Sequence, residues 1–197
     1  MSKVLVVVDM QNDFLTGALA NKEGVEVIQY VKNSVEEAIN KGYQVIFTRD
    51  THQENYLETE EGINLPVTHC IENTKGWEIV DDLKEYTDDI KPSSQVGVFD
   101  KETFGSIDLA NYLKKTSNQY EAINLEPIDE ITLMGVCTDI CVISNAVMVK
   151  AALPYAKVNV DVKGCAGVTP ESHDTAISAM KALQIHILNE NSESWRK

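Results

Sequence analysis

Val4-Leu5-Val6-Val7-Val8-Asp9 is an unbroken aliphatic run that ends on a carboxylate. A strand with apolar side chains on both of its faces belongs in the middle of a parallel sheet that helices cover on each side. The remaining segments supply the partners such a strand needs. Ile28, Val31, Val35 and Ile39 recur at three- and four-residue steps, a helix that Gly42 stops. Val45-Ile46-Phe47 reads as a second strand and residues 95–99 as a third, after which Ser106 caps a helix carrying Leu109, Tyr112 and Leu113 on one face. Ile131-Thr132-Leu133-Met134 is a fourth strand, followed by a helix from near Thr138 with Ile140, Ile143 and Val147 on one side. Residues 158–162 form a fifth strand. Thr169-Pro170 opens a last helix whose buried stripe is Ala176, Ile177, Met180 and Leu183, and Ile185-His186-Ile187-Leu188 closes the pattern. Strands alternating with helices of ten or more residues predict an α/β fold, a three-layer α/β/α arrangement around a mostly parallel central sheet. Residues 51–91 break the alternation: they are acidic, with Glu54, Glu58, Glu60, Glu61, Asp81, Asp82, Glu85, Asp88 and Asp89, and a stretch that long between elements is usually functional.

Composition bounds the function. A chain of 197 residues, 43% hydrophobic and 24% charged, suits one globular domain spanning residues 1–197 and excludes a disordered chain. Thirty-one acidic against 17 basic residues give a net charge of -14, which repels phosphate backbones and anionic headgroups, so neither nucleic acid nor a membrane surface is an expected partner. The longest aliphatic run falls far short of the roughly 20 residues of a membrane span. It also starts too early to follow a signal peptide, and the expected location is the cytoplasm. Cys70, Cys137, Cys141 and Cys165 then read as reduced thiols, not a disulfide framework. Homo-oligomerisation stays open.

In open α/β sheets ligands bind beyond the carboxyl ends of the strands. Asp9 follows the first strand, Arg49-Asp50-Thr51-His52 the second, Lys101 the third, and Gly135-Val136-Cys137-Thr138-Asp139-Ile140-Cys141 the fourth. Cys141 falls in the first turn of its helix, where free N–H groups and the helix dipole favour a thiolate, and a nearby Lys101 adds to the effect. Asp9 at a neighbouring strand end can exchange a proton with the thiol and later with a leaving group. Cys137 and Cys141 lack the Cys-x-x-Cys spacing of thiol oxidoreductases. Cys70 and Cys165 read as inert, and His173 and His186 as structural residues far from the strand ends.

At these residues the chain resembles the isochorismatase-like cysteine hydrolases, and within them the nicotinamidases or pyrazinamidases. The resemblance lies in Val8-Asp9-Met10-Gln11-Asn12-Asp13-Phe14, Thr48-Arg49-Asp50-Thr51-His52, Leu65-Pro66-Val67-Thr68-His69-Cys70, Lys101-Glu102-Thr103-Phe104, Gly135 through Val142 and Ala166-Gly167-Val168-Thr169, in order along nearly the whole chain. It implies a catalytic triad of Asp9, Lys101 and Cys141 with Cys141 the nucleophile. It also implies a cis peptide between Val136 and Cys137, and an oxyanion hole from the backbone N–H groups of Cys137 and Cys141. The implied reaction is nicotinamide to nicotinate and ammonia, with pyrazinamide as a further substrate and NAD salvage as the setting.

Asp50-x-His52 can point two ligands the same way, and His69 with an intervening carboxylate completes a metal site. Relatives often supply three histidines and one aspartate. Here Glu61 is the first choice for the missing histidine, with Glu58 and Glu54 as alternatives. Two carboxylates and two histidines suit one divalent transition ion per chain, zinc first, manganese or iron otherwise. Phe14 and Trp77 are candidate walls for a flat aromatic substrate. The rivals are a relative acting on another small amide, ureido compound or vinyl ether, and a non-catalytic binding protein on the same fold.

Overall fold

The structure is a computed structural model that describes residues 2–88, 95–123 and 125–196. Its strands are β1 (Ser2–Val8), β2 (Gln44–Asp50), β3 (Val96–Lys101), β4 (Ile128–Val136), β5 (Lys157–Ala166) and β6 (His186–Leu188). They form one six-stranded sheet in the order β3-β2-β1-β4-β5-β6, with every pairing parallel. The helices are α1 (Asn12–Leu15), α2 (Lys22–Asn40), α3 (Glu60–Asn64), α4 (Asp81–Thr87), α5 (Ile107–Ala122), α6 (Ile143–Ala152) and α7 (Pro170–Ala182). No helix among the described residues is long and apolar enough to cross a membrane.

The opening run behaves as its composition demands: Val4 to Val8 are all buried, because β1 lies at the centre of the sheet. Right-handed crossovers to β2 and β3 run one way from β1, and those through β4, β5 and β6 run the other. This puts α2 and α4 on one face and α5, α6 and α7 on the opposite one. The chain reverses its winding between β1 and β4, the place where open sheets of this kind bind their ligands.

Helix ends follow local chemistry. Asn21 caps α2 by accepting from Gly24 N–H, and Gly42 beyond its far end takes φ 76°. Ser106 caps α5 through Leu109 N–H. Thr169 and Ser172 form a reciprocal capping box that opens α7 behind Pro170.

The structure corrects two helical stripes. After β4 the chain makes a π turn, Thr138–Val142, before α6 begins, and the wider turn rotates the following residues. The buried positions are therefore Val142, Ala146 and Val149, while Val147 is exposed. In α7 the buried set is His173, Ala176, Ile177 and Met180, and Leu183 points outward from the last turn. Residues 51–88 are not one long loop: they hold a 3-10 turn at Tyr56–Glu58, then α3 and α4, elements too short to show periodicity. The acidic run's Asp89, and residues 90 and 91 after it, lie outside the described residues.

At Gly135 β4 leaves no room for a side chain against β1. This glycine pairs with Val8 at φ 125°, and a Cβ there would sit 2.1 Å from Val8 O. The β4–β5 register also shifts between Leu133 and Gly135. Gly135→Ala is expected to lose more than about 3 kcal/mol in urea unfolding, because both the backbone angle and the contact forbid a side chain. A loss below about 1 kcal/mol would mean that β1 and β4 separate easily.

Candidate active site

Strand geometry brings the first group together. Thr48 and Asp50 are two residues apart on β2 and so face the same side of the sheet, and Asp50 is the ladder partner of Lys101 on β3. Asp9 follows β1 at φ 49°, and its N–H donates to Thr48 O over 3.2 Å. Thr48 Oγ1 donates to Asp9 Oδ1 over 2.6 Å, and Lys101 Nζ lies 2.7 Å from Asp9 Oδ2. The same ammonium is 3.2 Å from Asp50 Oδ1 and 3.7 Å from Cys141 Sγ. Asp9, Asp50, Lys101 and Cys141 are all buried.

Burial is the largest influence on each of these charges. It drives the Asp9 carboxyl up, Lys101 pulls it back and Asp50 pushes it up again, leaving it above the usual carboxylate range. Burial works against the Lys101 ammonium, but Asp9, Cys141 and Asp50 outweigh it and hold it above the usual lysine value. For Cys141, burial and the Asp9 charge overcome Lys101 and push the thiol well above its ordinary value. The helix-start thiolate read from the sequence is therefore corrected. In a dry site facing a carboxylate, one π turn and one ammonium do not suffice, and the resting group is a thiol. A thiol beside a carboxylate whose counter-ion is fixed can pass its proton to that carboxylate as it attacks an electrophile.

The turn that carries Cys141 is held from both sides. The Val136–Cys137 peptide is cis, and Cys137 O accepts from Ile140 N–H at 3.2 Å and Val142 N–H at 3.0 Å. Asn145 Nδ2 donates to Cys141 O at 2.8 Å and Phe104 O at 3.1 Å, while its Oδ1 accepts from Ser106 N–H at 3.0 Å. Across the turn, Thr138 Oγ1 is 2.8 Å from His173 Nδ1. His173, read from the sequence as far from the strand ends, in fact lies against the turn that follows the fourth strand. Cys137 keeps its proton, because burial first and then Asp139 and Asp9 push it up to about 12. Cys70 and Cys165 are buried free thiols, which burial likewise pushes up.

Beside this group stands a second. One donor atom each from Asp50, His52, Glu61 and His69 lies within 4.8 Å of all the others. His52 Nε2 is 2.9 Å from Asp50 Oδ2 and 3.5 Å from Glu61 Oε1; His69 Nε2 is 3.5 Å from Asp50 Oδ2 and 3.8 Å from Glu61 Oε1. Glu61 reaches the group because Thr59 caps α3 and the next residue, Gly62, has no Cβ to strike Tyr56 O. Glu58 and Glu54 stand outside it.

The donor chemistry fits a divalent cation. His69 Nδ1 is 2.8 Å from Val67 O, a carbonyl that only accepts, so Nδ1 carries a proton and Nε2 is the nitrogen turned toward the group. His52 Nε2 is buried and faces the carboxylates of Asp50 and Glu61, neither of them aligned as a hydrogen-bond partner. Burial opposes a charge on His52, yet Asp50 and Glu61 raise its pKa to about 9, so this cage of carboxylates draws positive charge.

Phe14 meets His69 edge-on, with ring centroids 5.5 Å apart. Trp77 instead gives its Nε1–H to Thr51 Oγ1 at 2.8 Å and carries Arg49 over its ring at 3.8 Å. The sequence reading assigned nothing to three supports of the site. Tyr56 packs against both His52 and His69. Gln11 Oε1 accepts from Asp50 N–H at 2.7 Å while its Nε2 donates to Asp50 O and Trp77 O, each at 2.8 Å. Asn145 is the third. Gln11 lies inside a quoted motif, but no spacing announces the other two.

The Isochorismatase domain model matches residues 3–192. The nicotinamidase of Saccharomyces cerevisiae is 29% identical over 74% of this chain and 80% of its own. Among solved structures, a nicotinamidase/pyrazinamidase from Bacillus subtilis superposes with TM-score 0.80 at 26% identity, covering 96% of this chain and 100% of that one. A pyrazinamidase of Pyrococcus horikoshii in complex with zinc gives TM-score 0.75 at 27% identity, covering 95% and 99%.

Asn145→Ala leaves Ser106 N–H and the carbonyls of Cys141 and Phe104 without their partner. Unfolding stability is expected to fall by about 2 to 4 kcal/mol, the cost of stranding buried polar groups. A urea midpoint equal to the wild type's would show that these groups find other partners.

Proposed function

We propose that this chain, which belongs to the isochorismatase family, hydrolyses the carboxamide of nicotinamide to nicotinate and ammonia, and accepts pyrazinamide as well. The observation that carries the reading is the contact of Lys101 with Asp9, Asp50 and Cys141, which sets a thiol–carboxylate pair beside the quartet of nitrogen and oxygen donors. The similar nicotinamidases and pyrazinamidases support the substrate.

In the first half-reaction Asp9 takes the thiol proton as Cys141 Sγ attacks the amide carbon. The negative oxygen is received by the backbone N–H groups of Cys137 and Cys141 at the start of the turn, where N–H groups lack intrahelical partners. Asp9 returns the proton to the amide nitrogen, the C–N bond breaks and ammonia leaves, with the acyl group on Cys141 as a thioester. In the second, Asp9 takes a proton from water as its oxygen adds to the thioester carbon. The C–S bond breaks, the Cys141 sulfur regains a proton from Asp9, and the carboxylic acid so formed leaves as nicotinate, its proton passing to solvent. Lys101 keeps its charge throughout and balances Asp9 and Asp50 in turn. Asp50, His52, Glu61 and His69 would hold a divalent transition ion, zinc or else manganese or iron, which would supply a Lewis acid for the ring nitrogen. Phe14 flanks the ring, and Trp77 holds the rim through Thr51 and Arg49. Recovery of the pyridine ring for NAD in the cytoplasm is the corresponding physiological setting.

Ammonia release is the decisive assay. Nicotinamide and pyrazinamide should both be turned over, and benzamide, which lacks the ring nitrogen, should fall by more than about 100-fold in kcat/KM, roughly 3 kcal/mol. Cys141→Ala should abolish turnover with folding intact. Ammonia from a ureido compound but not from nicotinamide would replace the substrate assignment.

Metal binding is tested separately by titrating zinc into metal-stripped protein. Glu61→Ala should weaken affinity by more than about 100-fold, and Glu58→Ala should leave it unchanged. Equal affinity in wild type and Glu61→Ala would remove Glu61 from the ligand set.

A further inference from the structure

His173 sits in the first turn of α7 with no exposed surface, and both nitrogens of its ring are engaged. Nε2 lies 3.0 Å from Glu193 Oε1 and Nδ1 lies 2.8 Å from Thr138 Oγ1. Burial, opposed by Glu193, holds the ring below the usual histidine range, so it is neutral and carries one proton. A carboxylate only accepts, so that proton is on Nε2 and faces Glu193. Nδ1 then offers a lone pair, and the Thr138 hydroxyl donates to it. The direction of the whole chain is fixed: Thr138 O–H to His173 Nδ1, and His173 Nε2–H to Glu193.

Glu193 is itself held. Its Oε2 lies 2.7 Å from Arg196 Nε, and Arg196 also pairs with Asp174 on α7. Trp195 stands edge-on to the His173 ring at 5.0 Å and donates its Nε1–H to Cys165 O at 3.1 Å. The far end of the chain thus forms a braced bracket behind His173, and what the bracket grips is Thr138. That residue is the first of the π turn and directly follows Cys137, whose carbonyl anchors the turn by accepting from Ile140 and Val142. Anchoring that side chain holds the first residue of the turn, one residue after Cys137 and three before Cys141.

We propose that His173, oriented by Glu193, is a positioning residue for catalysis: through the Thr138 hydroxyl it sets the backbone N–H groups of Cys137 and Cys141 to receive the oxyanion. This rests on the amide-hydrolysis reading above. It makes the segment around Glu193–Arg196, remote in sequence from every motif, part of the catalytic scaffold.

The test combines kinetics on nicotinamide with the affinity of pyridine-3-carboxaldehyde. Its carbonyl can add the Cys141 sulfur to give a tetrahedral oxygen where the oxyanion would lie. His173→Ala is expected to lower kcat about 10- to 100-fold with KM within about twofold, the pattern of an interaction made in the transition state. Aldehyde affinity should fall by the same factor. His173→Asn, whose side-chain oxygen can still accept from Thr138, should recover most of the loss. Thr138→Val should reproduce the loss, and adding it to His173→Ala should cost little more. If His173→Ala does not fold, Glu193→Gln, which keeps the volume, should show the same kcat-only loss at about threefold to tenfold. A variant set that melts at lower temperature but retains wild-type kcat and aldehyde affinity overturns the proposal and leaves His173 as a structural staple. Wild-type protein that releases no ammonia from nicotinamide fails the functional reading itself, a result distinct from active wild type with unaffected variants.

Discussion

The site depends on a buried ammonium. Lys101 Nζ touches Asp9, Asp50 and Cys141 at once, and these groups are almost wholly removed from water. Two carboxylates this close in a dry interior repel each other, and the repulsion is tolerable only with a cation between them. Taking the ammonium away would strand both, a penalty of about 3 to 5 kcal/mol for breaking a buried pair. Lys101 therefore joins two halves of the site, the thiol–carboxylate pair and the donor quartet, because Asp50 belongs to one and neighbours the other.

The sheet makes this contact possible. In the order β3-β2-β1-β4-β5-β6 the winding reverses between β1 and β4, and the carboxyl ends of four neighbouring strands lie side by side there. Asp9, Asp50, Lys101 and the turn bearing Cys141 each stand at the end of a different strand; Asp50 and Lys101 are aimed by the β2–β3 ladder, Asp9 by its bond to Thr48, and Cys141 by the π turn. Thr48 shows how economical this is. Two residues before Asp50 on the same face of β2, it orients the Asp9 carboxylate, while Asp50 meets Lys101 from the neighbouring rung.

Most of the fold is legible in the sequence because strands buried on both faces and helices with one apolar stripe leave periodic marks. β1 is the plainest case, and Ser106 and Thr169 announce the helices they cap. Legibility fails where geometry departs from the regular period. The π turn before α6 moves burial from Ile143 and Val147 to Val142 and Ala146, and nothing in an apolar run reveals the extra residue. In the candidate site, single residues such as Asp9 and Cys141 stand out at strand ends, and the resemblance assembles them. Their charge states do not stand out, because burial is a property of the finished interior: a helix start predicts a thiolate, and the packed site returns a thiol. The Thr138–His173–Glu193 chain is invisible for a related reason, since its three members are far apart in sequence and follow no period.

The nucleophile's turn shows why such supports are needed. A π turn shifts the hydrogen-bond ladder by one residue, so carbonyls at the entrance to the following helix lose their regular donors. Val142 enters α6 without a side-chain cap, and Cys141 O instead takes a hydrogen from Asn145 one turn further on. The same amide reaches Phe104 and Ser106, close after Lys101, so the carrier of the thiol and the carrier of the ammonium are tied through one side chain. On the opposite flank Thr138 is tied to α7 and to the far end of the chain. A turn loosened by its own backbone pattern is thus made rigid by neighbours on either side. A reacting sulfur gains from such support, because an ångström of drift in the attacking atom or the receiving N–H groups costs about 100-fold in rate.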